Sequence, residues 1–247
     1  TSAKCPTQKS YVCSRTHNRR ELAMPHTDAE TRLSIPAGTA QLEGDLALPE
    51  GAHGLVLFAH GSGSSRRSSR NRFVAQALRQ RGLATLLFDL LTLDEEREDA
   101  VDEHLRFDIP LLAQRLGAAT DWLRAQPSTR LLTIGYFGAS TGAAAALIAA
   151  AERPEHVHAV VSRGGRPDLA ADALERVRAP TLLIVGGADP MVLKLNRGAL
   201  ARISCKKHLA IVPDATHLFE EPGALEQVAD LAADWFVSHS LGGTERR

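Results

Sequence analysis

Aromatic residues are scarce in this chain. Phenylalanine, tryptophan and tyrosine make up 4% of its 247 residues, too few for the stacking platforms on which single-stranded nucleic acids lie. Net charge is absent as well. Lys+Arg and Asp+Glu both count 29, which removes the electrostatic basis for binding nucleic acid or an anionic membrane surface. No apolar run is long enough to span a bilayer. Cysteine occurs only at Cys5, Cys13 and Cys205, so neither a disulfide framework nor a metal-ligand spacing follows. These absences imply a small-molecule ligand and a reducing, cytoplasmic setting. No nucleic acid, membrane, metal or organic cofactor is expected.

What is present is material for one core. The apolar fraction of 44% is ordinary for a globular α/β domain of this length. Residues 1–26 stand apart. They are polar and without hydrophobic period, and carry Lys4, Lys9, Arg15, Arg19 and Arg20 against Glu21. The apolar centre of a secretory signal is missing. This segment reads as a poorly ordered, dispensable leader, with Met24-Pro25 as a natural start; a basic targeting arm is the alternative. Residues 27–247 are then expected to form a single domain.

Within it, Thr31–Ile35 and Gln41–Leu48 alternate apolar and polar residues around Pro36-Ala37-Gly38, as a hairpin does. Leu55–Ala59, Leu83–Asp89, Leu131–Phe137, His158–Ser162, Pro180–Val185 and His208–Val212 read as strands. Helices are predicted over Phe73–Arg81, Pro110–Ala125, Ala143–Ala151, Asp168–Arg176, Met191–Arg202 and Pro222–His239. The acidic stretch Leu90–Asp108 reads as a solvated loop or short helix. Strands alternating with helices imply a mostly parallel sheet with helices on both faces. Ligands of such sheets bind at the carboxyl ends of the strands.

The organising stretch is LLTIGYFGASTGAAAALIAAA, Leu131 to Ala151. A strand, the turn Gly138-Ala139-Ser140-Thr141-Gly142 and an alanine-rich helix form the context of a nucleophile elbow. The pentapeptide alone is a weak signal, and its partners strengthen it. A serine hydroxyl needs an adjacent base, and the base an orienting acid. Asp189 follows one strand in GGADP and His217 follows the next in VPDATHLF. The order Ser140, Asp189, His217 suits this elbow. Asp214 and Asp168 compete as acid, and Asp189 could serve only as a helix cap. Two amides would hold the oxyanion: Thr141 N–H and, from the loop after the third strand, Ser62 N–H.

In HGSGSS at His60–Ser65, GASTG, and the GGAD…ATH pair, the chain resembles the α/β-hydrolases, and within them the dienelactone hydrolase-like group, over about residues 31–240. The resemblance implies the α/β-hydrolase fold and ester hydrolysis through an acyl-enzyme. The namesake enzymes use cysteine where this chain has Ser140, which turns the expectation toward a serine esterase. The short connection Ser162–Pro180 leaves no room for a cap domain, so small or soluble esters are expected. A lactonase, an acyltransferase and a non-catalytic binding member of the fold are the alternatives. His60, Arg163 and Arg166 lie near enough in the pattern to touch substrate. The bland reading for Arg66, Arg67, Arg70, Arg163 and Arg166 is pairing with the acidic stretch Asp94–Glu103, and balanced charges favour it.

Overall fold

The computed structural model describes residues 30–241; the leader and the tail Gly242–Arg247 lie outside the described residues. Eight strands form one sheet: β1 (Glu30–Ala37), β2 (Ala40–Ala47), β3 (Gly54–Ala59), β4 (Leu83–Phe88), β5 (Thr133–Ala139), β6 (Val157–Arg163), β7 (Thr181–Gly186) and β8 (Lys207–Val212). Their order is β1-β2-β4-β3-β5-β6-β7-β8. β1 pairs with β2, and β2 with β4, antiparallel. Every other neighbouring pair is parallel. β1 shows the half-exposed alternation of an edge strand, whereas β3, β4 and β7 are buried throughout.

The helices are α1 (Ser69–Gln80), α2 (Leu93–Asp102), α3 (Ile109–Ala125), α4 (Thr141–Glu152), α5 (Ala173–Arg176), α6 (Pro190–Arg202) and α7 (Ala224–Phe236). They divide the core in two. On one face α3 and α4 pack Leu112, Leu116, Ala146 and Leu147 against Leu57 and Tyr136. On the other, α1 and α7 pack Val74, Leu78, Val228 and Phe236 against Phe58, Phe137 and Val161. Buried Tyr136 keeps a partner for its hydroxyl in Thr120 Oγ1, 2.6 Å away.

Local chemistry sets the ends. Asp108 caps α3 by accepting from Leu111 N at 3.0 Å, and Pro110 occupies the first turn, where its missing N–H costs nothing. α1 begins before Phe73 because Ser68 caps it, accepting from Asn71 N.

The acidic stretch, read as a solvated loop or short helix, contains a short helix: α2, ten residues, opened by a reciprocal capping box between Thr92 and Glu95. One expectation needs correction. The helix expected over Asp168–Arg176 is a 3₁₀ turn at Pro167–Ala170 followed by the single turn α5, because Ala171 takes a φ of +44° and breaks the ladder.

Since β3, β5, β6, β7 and β8 run parallel, the loops that follow them emerge at one edge. That edge therefore carries the segment after Ala59, Ser140, the segment after Arg163, Asp189 and His217.

Candidate active site

Ser140 sits between β5 and α4 with φ 51° and ψ −121°, a conformation costly for any residue with a Cβ. The turn is held by Ser140 N–H donating to Arg163 O (3.2 Å), and by Arg166 N–H donating to Ser140 O (3.0 Å). The flanking glycines are there for space. A Cβ on Gly138 would overlap Ala143 Cα, and one on Gly142 would overlap the carbonyl oxygens of Ala59 and His60. These are backbone atoms, so no side-chain rotation can relieve the overlap. Gly142→Ala is expected to destabilise the fold by about 3 kcal/mol or more, read as a fall in the denaturant midpoint with an unchanged slope. A wild-type midpoint would mean that α4 can retreat from β3.

His217 lies after β8. Its Nδ1 is 2.9 Å from Asp189 Oδ2. A carboxylate only accepts, so Nδ1 carries the proton and Nε2 presents a lone pair. Asp189 also accepts from Val192 N through Oδ1 at 3.2 Å, capping α6. The capping role and the bond to His217 are thus both real. Asp189 is largely buried and His217 reaches solvent, with side-chain exposures of 15% and 41%. Asp214 turns the chain at φ +58° and takes no part in the bond to His217; Asp168 is bound to Arg166 at 2.7 Å. Gly164 joins the two halves of the site. It follows Arg163, the acceptor for Ser140 N–H, and a Cβ on it would stand 3.6 Å from His217 Cε1.

Ser62 and Thr141, the expected oxyanion donors, are in contact. Ser62 N–H donates to Thr141 Oγ1 at 2.9 Å, so one expected donor already has an acceptor. Beside them Gly61 packs on the nucleophile, and a Cβ there would stand 3.0 Å from Ser140 Cβ. His60 is a loop anchor. Leu90 N–H donates to its Nε2 at 3.1 Å, which leaves the proton on Nδ1, 3.0 Å from Gly61 O. Burial pushes its imidazole below the ordinary range, against the upward pull of Gly61 and Asp89.

The arginines do not pair with the acidic stretch as expected. Arg66 lies among Asp89, Glu43 (2.7 Å) and Asp45 (3.4 Å). Arg70 pairs with Glu220 at 3.1 Å. Three carboxylates of α2 find other partners: Asp94 with Arg97 and Asp99 with Arg106 close in sequence, and Glu95 with Arg115 on α3. Sequence neighbours reach each other at a smaller entropic cost than separate loops do. Among the described residues Arg163 has no carboxylate partner. It is buried, 3.4 Å from Asn71 Oδ1 and over the ring of Phe219 at 5.9 Å, with Nε unpartnered. Burial, and then the charge of Arg70, push its guanidinium down to about 10. Neither Arg163 nor Arg166 lines the cavity described next.

A cavity of about 300 Å³ lies between the loop after β3 and the α2 segment. Gly61 and Ser62 form one wall, Glu96, Asp99 and Arg106 the other, with Leu91 and Leu112 among the lining. Asp99 is buried, which alone would push its carboxyl up; hydrogen bonds from Arg106 outweigh that and hold it below the usual range. This wall was not foreseen. Its signal in the sequence was the Thr92-x-x-Glu95 capping box within the acidic run. Asp99, Asp102 and His104 bring possible ligand atoms within 4.8 Å of one another, but Arg106 occupies Asp99 and His104 pairs with Asp102 at 2.5 Å.

A family model described as an alpha/beta hydrolase domain matches residues 52–235. The chain belongs to the alpha/beta-hydrolase family. A solved dienelactone hydrolase from Anabaena variabilis ATCC 29413 is 60% identical to this hydrolase, with a TM-score of 0.86 over 87% of this chain and all of that one. The likeness sets the chain in the dienelactone hydrolase-like group. Est1E from Butyrivibrio proteoclasticus, solved with ferulic acid, shares 16% identity and a TM-score of 0.70 over 83% of this chain and 98% of its own, a likeness of fold. "Putative phosphoribosyl transferase Rv0571c" of Mycobacterium tuberculosis (strain ATCC 25618 / H37Rv) is 59% identical over 213 residues, 86% of this chain and 47% of that protein. The hydrolase thus spans about half the length of that curated relative. Among the described residues no separate cap domain is evident, and no helix is long and apolar enough to cross a membrane.

Proposed function

We propose that this hydrolase cleaves small carboxylic esters through an acyl-enzyme on Ser140. The observation that carries the reading is the His217–Asp189 bond of 2.9 Å at the same sheet edge as a serine held at φ +51°. Ser140 Oγ attacks the ester carbonyl carbon while His217 Nε2 takes its proton. The tetrahedral oxyanion is stabilised by Thr141 N–H, and by Ser62 N–H once that amide turns from Thr141 Oγ1. Collapse breaks the bond to the alcohol oxygen, and His217 returns the proton to it. Water then repeats the sequence and frees the acid. Asp189 fixes the imidazole tautomer and stabilises the imidazolium. The scheme uses no metal or organic cofactor.

A lactone would follow the same steps with its alcohol tethered, and an acyltransferase would replace water by another alcohol. Paired p-nitrophenyl esters and small lactones, with and without an added alcohol, separate these. The transferase name of the Mycobacterium relative offers another class, phosphoribosyl transfer, and this chain matches about half of that protein. A fluorophosphonate is the deciding probe. It should add covalently to wild type at Ser140, mapped by peptide mass, and not to Ser140→Ala. An unlabelled wild-type chain would leave a binding member of the fold as the better account.

A further inference from the structure

The cavity beside the oxyanion loop has a charge left over. Among its ionisable groups Asp99 is matched by Arg106, and His60 is neutral with both ring nitrogens engaged. Glu96 is different. It lines the cavity, yet its carboxylate has no hydrogen bond or ion pair among the described residues. Behind it, Asp89 faces Arg66, which already lies among three carboxylates, Glu43, Asp45 and Asp89. Burial first, then Asp89, push the Glu96 carboxyl up, and Arg66 and Arg67 only partly oppose them. Its ionised form is therefore only partly compensated, and a cation in the cavity would supply the rest.

The position suits a substrate arm. Neither Ser140 nor His217 lines the cavity, but Gly61 does, and Gly61 packs against Ser140. An ester whose carbonyl sits over Ser140 can run one arm past Gly61 and Ser62 into this space. Leu91 and Leu112 offer an apolar surface to a methylene spacer, and Glu96 an acceptor beyond it. A volume of about 300 Å³ lies at the lower end of the range for small-ligand sites.

We propose that this cavity is the specificity subsite of the enzyme and that Glu96 there binds an ammonium group carried by the substrate. The natural substrate is then an ester of an amino acid or an amino alcohol. This deepens the ester-hydrolase reading and rests on it.

The test uses matched esters of equal shape. ω-Amino acid methyl esters are compared with methyl alkanoates, and ω-aminoalkyl acetates with alkyl acetates, each over a graded methylene spacer. Wild type should favour the cationic member of at least one pair by about ten-fold in kcat/KM, the size of one charge-assisted hydrogen bond. Glu96→Gln should bring that ratio to about one. Saturation-transfer NMR with n-butylammonium and n-butanol supplies a readout without turnover. Wild type should bind the ammonium and not the alcohol, and Glu96→Gln should lose the ammonium.

The proposal is overturned if wild type shows no cationic preference, or if Glu96→Gln keeps it. Ser140-dependent hydrolysis of neutral esters with no such preference sinks the subsite and leaves the hydrolase reading standing. If no ester is cleaved and yet n-butylammonium binds through Glu96, the cation site stands and the hydrolase reading fails. If none is cleaved and n-butylammonium does not bind, both fail.

Discussion

Ser140→Ala is expected to lower kcat/KM for a p-nitrophenyl ester by about 10⁴- to 10⁶-fold, the range lost when a serine nucleophile is removed from a triad. The fold should survive. The Ser140 side chain makes no capping bond to α4, and the turn is held through backbone atoms that alanine retains. Ser140→Gly separates activity from strain. It also removes the nucleophile, but glycine enters φ +51° freely, so this variant should be more stable than wild type by about 1–2 kcal/mol. Activity lost with stability gained is the pattern expected of strain kept for function. The measurements are initial rates and denaturant midpoints on the three proteins. More than a few per cent of activity left in Ser140→Ala would remove the elbow from the chemistry. A Gly variant no more stable than wild type would place the compensation for the strain elsewhere.

The central strands and long helices were legible because each is locally consistent. Leu55–Ala59 is wholly apolar and becomes a strand buried on both faces. Ala143–Ala151 is nearly all alanine and becomes a helix that the sheet can approach closely. That Ser140, Asp189 and His217 meet at one sheet edge was legible because each follows a strand, and parallel strands end at one edge. What stayed hidden depends on side-chain partners rather than on pattern. The arginines after β3 and β6 could reach many carboxylates in principle. Packing gave Arg66 to Glu43 and Asp45 of β2 and to Asp89 just after β4, and left Arg163 with Asn71 and Phe219. No periodicity encodes that choice. The acidic stretch was left between a solvated loop and a short helix for a related reason: its exposed, charge-rich sequence does not show that Asp99 is buried against Arg106.

Asp189→Asn should cost about 10⁴-fold in kcat, comparable to the loss when a serine-protease triad acid is replaced by its amide. The amide nitrogen can donate to Nδ1 and so favour the tautomer that leaves Nε2 protonated and unable to act as base. The charge that would stabilise the imidazolium disappears as well. Stability should be nearly unchanged, because asparagine caps a helix as well as aspartate and can keep the bond from Val192 N. Asp189→Ala removes both bonds. It should lose activity and also about 1 kcal/mol of stability with the α6 cap. Asp214→Asn is the control. Asp214 occupies φ +58° on the loop that carries His217, and asparagine is among the residues that accept this conformation most readily. Its activity should stay within a few-fold of wild type. The ranking therefore depends on the 2.9 Å bond between His217 and Asp189. Equal losses in Asp189→Asn and Asp214→Asn, or the reverse order, would reassign the acid to the loop that carries the histidine.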